Sequence, residues 1–292
     1  MSKGFLTPAF LARLERLRLQ VRDMPSHRGG ARRSKQLGSS VEFAEYRPYL
    51  PGDDLRHLDW RAYARLGRLF LKTFFDERDV LLYLMVDASR SMDFHGKLLQ
   101  AQRLAAAIGY LGLAEEDRVE ALIFADRVRG KLERLMSKQS AHRLFAMLQQ
   151  AKALGEGTEG SLQWLVRSAM PTEPGVVVIL SDFLFADGYE DALKRLQAAQ
   201  HQVVVIQILS AEELDPSYAG DLQLVDSESG KGLDVALSPF VLKRYRDTVT
   251  AYTAELGEFC RRRGMYHVLV PAEESLEAAL FGRLLRTGVI GR

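Results

Sequence analysis

An uncharged run, Val80-Leu81-Leu82-Tyr83-Leu84-Met85-Val86, leads directly into Asp87-Ala88-Ser89-Arg90-Ser91. A run with no polar face reads as a strand buried on both sides, as in a parallel sheet covered by helices. Polar groups at the carboxyl end of such a strand fall where open α/β sheets bind ligands. One carboxylate and two hydroxyls spaced by two residues can turn their oxygens toward a common point. That is a hard-oxygen set suited to Mg²⁺ or Mn²⁺. The same string also reads as a strand end whose Ser and Asp cap the next helix.

A second buried run, Val176-Val177-Val178-Ile179-Leu180, ends in Ser181-Asp182, and Gly155-Glu156-Gly157-Thr158 lies in a loop between two helical stretches. Strands are predicted at 80–86, 118–124, 127–132, 175–180, 202–209 and 266–270, alternating with helices. Leu98, Ala101, Leu104, Ala105, Ile108 and Leu111 make one helix face, and further helices are predicted at 240–263 and 274–285. This pattern predicts a Rossmann-like, doubly wound, mainly parallel α/β sheet. In the order 3-2-1-4-5-6 the first and fourth strands are neighbours at the switch point. Asp87, Ser89, Ser91, Thr158 and Asp182 then converge on one crevice. In residue type and chain order this set resembles the metal-ion-dependent adhesion site of von Willebrand factor A domains. The resemblance implies a binding device for Mg²⁺ (or Mn²⁺) rather than a catalyst. It also implies that a partner protein's Asp or Glu completes the coordination.

Residues 38–79 carry the other strong signal. The stretch from Tyr46-Arg47-Pro48 through Pro51-Gly52-Asp53-Asp54-Leu55-Arg56-His57-Leu58-Asp59-Trp60 places Pro51-Gly52 at the centre of a type II turn. Arginines and aspartates around it can pair, and 69–75 alternates like a strand. Asp53, Asp54, Arg56, Asp59 and Trp60 read as structural, with Trp60 in the core of an accessory β-module. A hairpin at 221–237, turning at Asp226–Gly230, is predicted to join that module. This block upstream of the metal-type motif resembles the bacterial family catalogued as domain of unknown function 58. That resemblance implies pairing with a MoxR-type AAA+ ATPase in chaperone-like assembly or maturation of a client complex. The domain division expected is 1–36, a basic helix and linker; 37–79, the accessory module; and 80–292, the von Willebrand factor A-like domain.

The first 40 residues hold nine basic and two acidic side chains, so they carry +7 while the remainder carries −5. Thr7-Pro8 is a helix start, and Leu11, Leu14, Leu17 and Val21 extend an apolar stripe to a stop at Pro25–Gly30. This segment reads as a helix packed on the acidic body, or alternatively as an arm for nucleic acid. Because no aromatic or nucleic-acid motif accompanies the charge, nucleic acid is not the expected partner. The single cysteine, Cys260, fits a small core residue in a reducing compartment. The absence of a membrane-length apolar run or secretory signal gives a cytoplasmic expectation.

Enzyme readings find little support. Gly155-x-Gly157-x-x-Gly160 lacks a preceding strand and carries two glutamates that would repel a pyrophosphate. No Walker loop or metal-binding histidine spacing occurs, and His95 near Ser91 reads as a solvated loop residue. A metal-dependent hydrolase of phosphate esters would want more carboxylates than Asp87, Asp182 and at most Asp93. The expectation is therefore a non-enzyme.

Overall fold

The computed structural model describes residues 6–20, 43–49, 58–74, 80–153, 162–216, 220–225 and 232–291. It divides into two compact units, one of residues 1–26 with 80–292 and one of residues 27–79. Residues 6–20 and the paired strands at 220–225 and 232–237, expected in the accessory module, therefore fall in the larger unit. The chain opens with α1 (Pro8–Leu14) and β1 (Arg18–Leu19). The smaller unit holds β2 (Phe43–Pro48), α2 (Trp60–Leu66) and β3 (Phe70–Phe74). After it come β4 (Leu81–Asp87), α3 (Lys97–Ala114), β5 (Arg118–Phe124), β6 (Val128–Leu135), α4 (Ala141–Gln150) and α5 (Leu162–Ser168). The chain continues through β7 (Val176–Ser181), α6 (Glu190–Ala198), β8 (Gln202–Leu209) and α7 (Ala211–Leu214). It ends with the β9 (Gly220–Val225) and β10 (Gly232–Leu237) hairpin, α8 (Pro239–Arg262), β11 (Tyr266–Pro271), a π-helical segment at Ala278–Leu284 and β12 (Ile290–Gly291).

Six strands form one sheet in the order β11-β8-β7-β4-β5-β6. Counted along the chain this is the predicted 3-2-1-4-5-6 order, and β6 is its antiparallel edge. The period-2 geometry of a strand sorts each apolar run onto two faces. Leu82, Leu84 and Val86 pack on one side with Ala101, Leu104 and Ile108 of α3 and with Leu144 of α4. Leu81, Tyr83 and Met85 pack on the other with Leu165 of α5, Leu193 of α6 and Leu256 and Cys260 of α8. Every residue of β4 and β7 is buried, which explains why those runs carry no charge before the terminal Asp87. Cys260 is fully buried in this second layer, and burial pushes its thiol up to about 12. Among the described residues no helix is long and apolar enough to cross a membrane.

Three expectations change. The N-terminal helix stops at Leu14 instead of continuing toward Pro25. Arg18 and Leu19 pair with Gly291 and Ile290 instead, which puts Leu17 and Leu19 into the core beside Leu14. The Thr7 hydroxyl caps this short helix as predicted, accepting from the Phe10 amide at 3.3 Å. Arg13 lies against Phe281 and Lys138 pairs with Glu15, so residues 6–20 are packed on the body of their unit. Trp60 is not a core residue: it is 63% exposed at the first position of α2, a seven-residue helix with no buried side chain. Its neighbour Asp59 does the structural work there, with Oδ1 accepting from the amides of Arg61 (2.8 Å) and Ala62 (3.0 Å) as the helix cap. The predicted helix at 274–285 carries π-type turns over Ala278–Leu284. Pro51, Gly52, Asp53, Asp54 and Arg56 lie outside the described residues.

One glycine sets how closely the two site-bearing strands approach. A Cβ on Gly175, just before β7, would run into the backbone carbonyl of Leu81 at the start of β4. A backbone atom in a buried strand cannot move aside as a flexible side chain can. Gly175→Ala is therefore expected to destabilise the domain by about 1–3 kcal/mol, as measured by urea unfolding. An unchanged midpoint would show that the β4–β7 spacing tolerates the methyl.

Candidate functional site

The site lies at the carboxyl ends of the two central parallel strands. Val86 of β4 pairs with Leu180 of β7, so Asp87 and Ser181 finish side by side. The Ser181 hydroxyl donates to Asp87 Oδ2 at 2.6 Å, and the Ser89 amide donates to Asp87 Oδ1 at 2.8 Å. The chain then enters a 3₁₀ turn over Arg90–Gly96, anchored by buried Met92. This turn brings the Ser89 and Ser91 hydroxyl oxygens to 3.1 Å from each other, both only partly buried. His95 (φ 44°) and Gly96 (φ 78°) take successive left-handed conformations that swing the chain into α3. His95 itself is exposed against Phe94, and Asp93 is exposed too.

Asp182 follows one residue later on the neighbouring strand, fully buried. Its turn is held from four directions. The Phe183 amide donates to Ser181 Oγ at 2.9 Å, and the Leu184 amide donates to Asp182 Oδ1 at 3.1 Å. Gln207 of β8 donates to the Asp182 carbonyl at 3.3 Å, and the Tyr252 hydroxyl of α8 donates to the Phe183 carbonyl. Gln207 is oriented in turn by His267 Nε2 at 3.1 Å from its Oε1. Burial lowers the His267 pKa to about 4, so the ring is neutral and this nitrogen is the donor. Phe183 sits at φ 61°, a conformation costing a non-glycine residue about 1–2 kcal/mol. The surrounding hydrogen bonds make it tolerable.

The residue that sequence reading missed is Lys97. Its ammonium lies 2.9 Å from Asp182 Oδ2 and 2.6 Å from Glu213 Oε1, with only 1% of its side chain exposed. Glu213 caps α7, where its other oxygen accepts from the Ser210 amide (2.7 Å) and hydroxyl (3.0 Å). Burial works against the lysine's charge, but Asp182 and Glu213 outweigh it and hold its pKa above the ordinary value. One signal was present in the sequence: Lys97 continues the buried Ala101-Leu104-Ile108-Leu111 stripe by one helical turn. A lysine on an apolar stripe needs a buried anion. The Ser210-x-x-Glu213 spacing is likewise that of a capping box, although nothing in it reveals the partner lysine.

Asp87 is the site's electrostatic strain. Burial raises its pKa from 3.8 to about 7, and the nearby Asp182 charge adds to the effect, while hydrogen bonds from Ser181 and Ser89 oppose it. No Lys, Arg or His among the described residues pairs with it. Of the predicted set, the structure brings Asp87, Ser89, Ser91 and Asp182 together, and Thr158 lies outside the described residues. Among the described residues no three His, Cys, Asp or Glu side chains form a metal cluster. The donor set is two carboxylates and two hydroxyls. With Asp87, Asp182, Glu213 and Lys97 all ionised, the group carries −2. The donors and the charge both fit a hard dication.

The sheet order, the antiparallel edge strand and the flanking helices give the chain a doubly wound, mainly parallel α/β fold. Its architecture is similar to that of the conserved hypothetical protein BatB from Bacteroides thetaiotaomicron, at a TM-score of 0.41 and 15% identity, over 69% of this chain and 95% of that one. The manganese-loaded TRAP protein of Plasmodium vivax is similar at a TM-score of 0.33 and 17% identity, over 44% of this chain and 57% of that one. An uncharacterized protein of Mycobacterium tuberculosis is 29% identical over 236 residues, which is 78% of this chain and 73% of the relative. The family described as protein of unknown function DUF58 matches residues 45–255, well over half of the sequence, and the chain belongs to that family.

Proposed function

We propose that the chain is a divalent-cation-dependent protein-binding domain. The observation that carries this reading is the buried, uncompensated carboxylate of Asp87, set beside Asp182 and beneath the paired hydroxyls of Ser89 and Ser91. Asp87, Ser89, Ser91 and Asp182, with Thr158, would hold the cation. A bound Mg²⁺ or Mn²⁺ would supply a Lewis-acidic position for one more anionic oxygen, such as a client's Asp or Glu. Ser181, Gln207 and Tyr252 keep the Asp182 turn in place, so the donors need little reorganisation on binding. The family resemblance supports a MoxR-type AAA+ ATPase as the working partner in the cytoplasm, with this chain as the adaptor and the ATPase supplying the work.

The direct test is retention of the purified ATPase, and of proteins from the native lysate, on this chain with Mg²⁺, with chelator and with Asp87→Ala. Wild type with Mg²⁺ should retain its partner, and the other two conditions should not. Equal retention in all three would remove the metal from the binding mechanism. By calorimetry, Asp87→Ala should weaken Mn²⁺ binding by about 100-fold or more. It should still fold in chelator: the substitution removes a buried charge that has no cation, which offsets the loss of the acceptor for the Ser181 hydroxyl and Ser89 amide.

The Asp87 shift also sets a pH dependence. Because its folded pKa lies above its unfolded value of 3.8, the group stabilises the fold below about pH 4 and loses that contribution as pH rises through about 7. In chelator, wild type should therefore lose stability relative to Asp87→Asn across that window, as followed by thermal melts of the two proteins. Parallel curves would mean that Asp87 is ionised without cost.

A further inference from the structure

Resting on the reading that this crevice takes a dication, we propose that Lys97 is a built-in counter-cation for the empty site. Its ammonium pairs with Asp182 and orients it when no metal is bound, and it opposes the incoming dication. Folding is thereby independent of the metal, while partner binding depends on it.

Three observations lead there. Lys97 occupies the first turn of an 18-residue helix, the end where the helix dipole disfavours a cation. The dipole therefore gives no reason for a lysine here, and the capping position, Gly96, offers no side chain. Burial adds a second penalty, since lysine is almost never fully buried unless paired. The compensation is chiefly the two carboxylates, at 2.9 and 2.6 Å, with the Phe94 ring centroid 5.9 Å from the ammonium.

The pairing is also selective. Lys97 takes the Asp182 oxygen that the Leu184 amide leaves open, and the Glu213 oxygen that Ser210 leaves open. It does not reach Asp87, so the one carboxylate beside the hydroxyl pair stays without a cation. The lysine therefore neutralises one of the two expected metal-binding carboxylates and leaves the other as the attraction for the dication. Removing its charge would take the cluster from −2 to −3, with Asp182 buried and unpaired. Such a cluster should demand a metal in order to fold and should bind it more tightly.

The test uses the full-length chain, with Mn²⁺ as probe, in wild type, Lys97→Met, and Lys97→Met combined with Glu213→Gln. Thermal melts are recorded in chelator and in saturating Mn²⁺, and affinity is measured by calorimetry. In chelator Lys97→Met should melt roughly 10 °C below wild type, and Mn²⁺ should restore most of that loss. Mn²⁺ should bind Lys97→Met about 10-fold or more tightly than wild type, because a nearby like charge is gone. The double variant returns the cluster to −2, so its Mn²⁺ affinity should come back to within a few-fold of wild type. If the single variant does not fold in chelator, recovery on adding Mn²⁺ and the behaviour of the double variant still decide the matter. A loss of stability that Mn²⁺ does not restore, or unchanged or weaker Mn²⁺ binding in Lys97→Met, would overturn the proposal and reduce Lys97 to a structural ion pair. Absence of Mn²⁺ binding in every protein, wild type included, would overturn the metal reading itself.

Discussion

The structure depends on placing two carboxylates at the ends of adjacent buried strands. Taking an ion out of water costs several kcal/mol even after the protein relaxes around it. Asp87 and Asp182 are both fully buried. The sheet beneath them supplies the offset, since each fully buried Val, Leu, Ile or Met is worth about 1.5–3 kcal/mol, and ten of the thirteen residues of β4 and β7 are of these types. Many of the local features follow from keeping those two groups where they are. Gly175 lets the strands approach, Ser181 bonds to Asp87, and Lys97 places an ammonium at a helix end that would otherwise reject it.

The Asp182 turn shows how such a position is enforced. A left-handed Phe183 would relax if the loop were free, yet the segment is held by Ser181 from its own strand, Gln207 from β8 and Tyr252 from α8. Gln207 is a polar residue in an otherwise apolar strand, and neutral His267 on β11 fixes its amide. The support therefore runs across the sheet from β11 through β8 to the end of β7. A binding group that must meet a ligand without rearranging needs this kind of backing.

The sheet was largely legible in the sequence, because a strand buried on both faces must be an uninterrupted apolar run. Each of the six predicted strands lies within two or three residues of the observed one, and the 220–237 hairpin was visible from its turn residues. Asp87, Ser89, Ser91 and Asp182 were legible because strand order fixes which strand ends meet. The failures have physical causes. The Leu11-Leu14-Leu17 spacing suits a helix, but the pairing of Arg18 and Leu19 with the C-terminal strand is a long-range event that no local pattern carries. Trp60 was placed in the core by its residue type, whereas Asp59 beside it caps a helix that buries nothing. Lys97 was missed because only the fold brings Asp182 and Glu213 to it, from 85 and 116 residues away.

The charges in this cluster are not equivalent. Glu213 keeps 16% of its side chain in contact with solvent, so water screens part of its charge. Asp182 has an ammonium at 2.9 Å. Asp87 has neither: it is fully buried, its hydrogen bonds come only from neutral groups of Ser181 and Ser89, and its raised pKa reflects the shortfall. The unmet demand thus falls on the one carboxylate that lies two residues from Ser89 and four from Ser91, whose oxygens face each other at the surface of the crevice. The neutral oxygen donors and the unneutralised charge thus lie together, and among these three carboxylates Asp87 alone has no cation beside it.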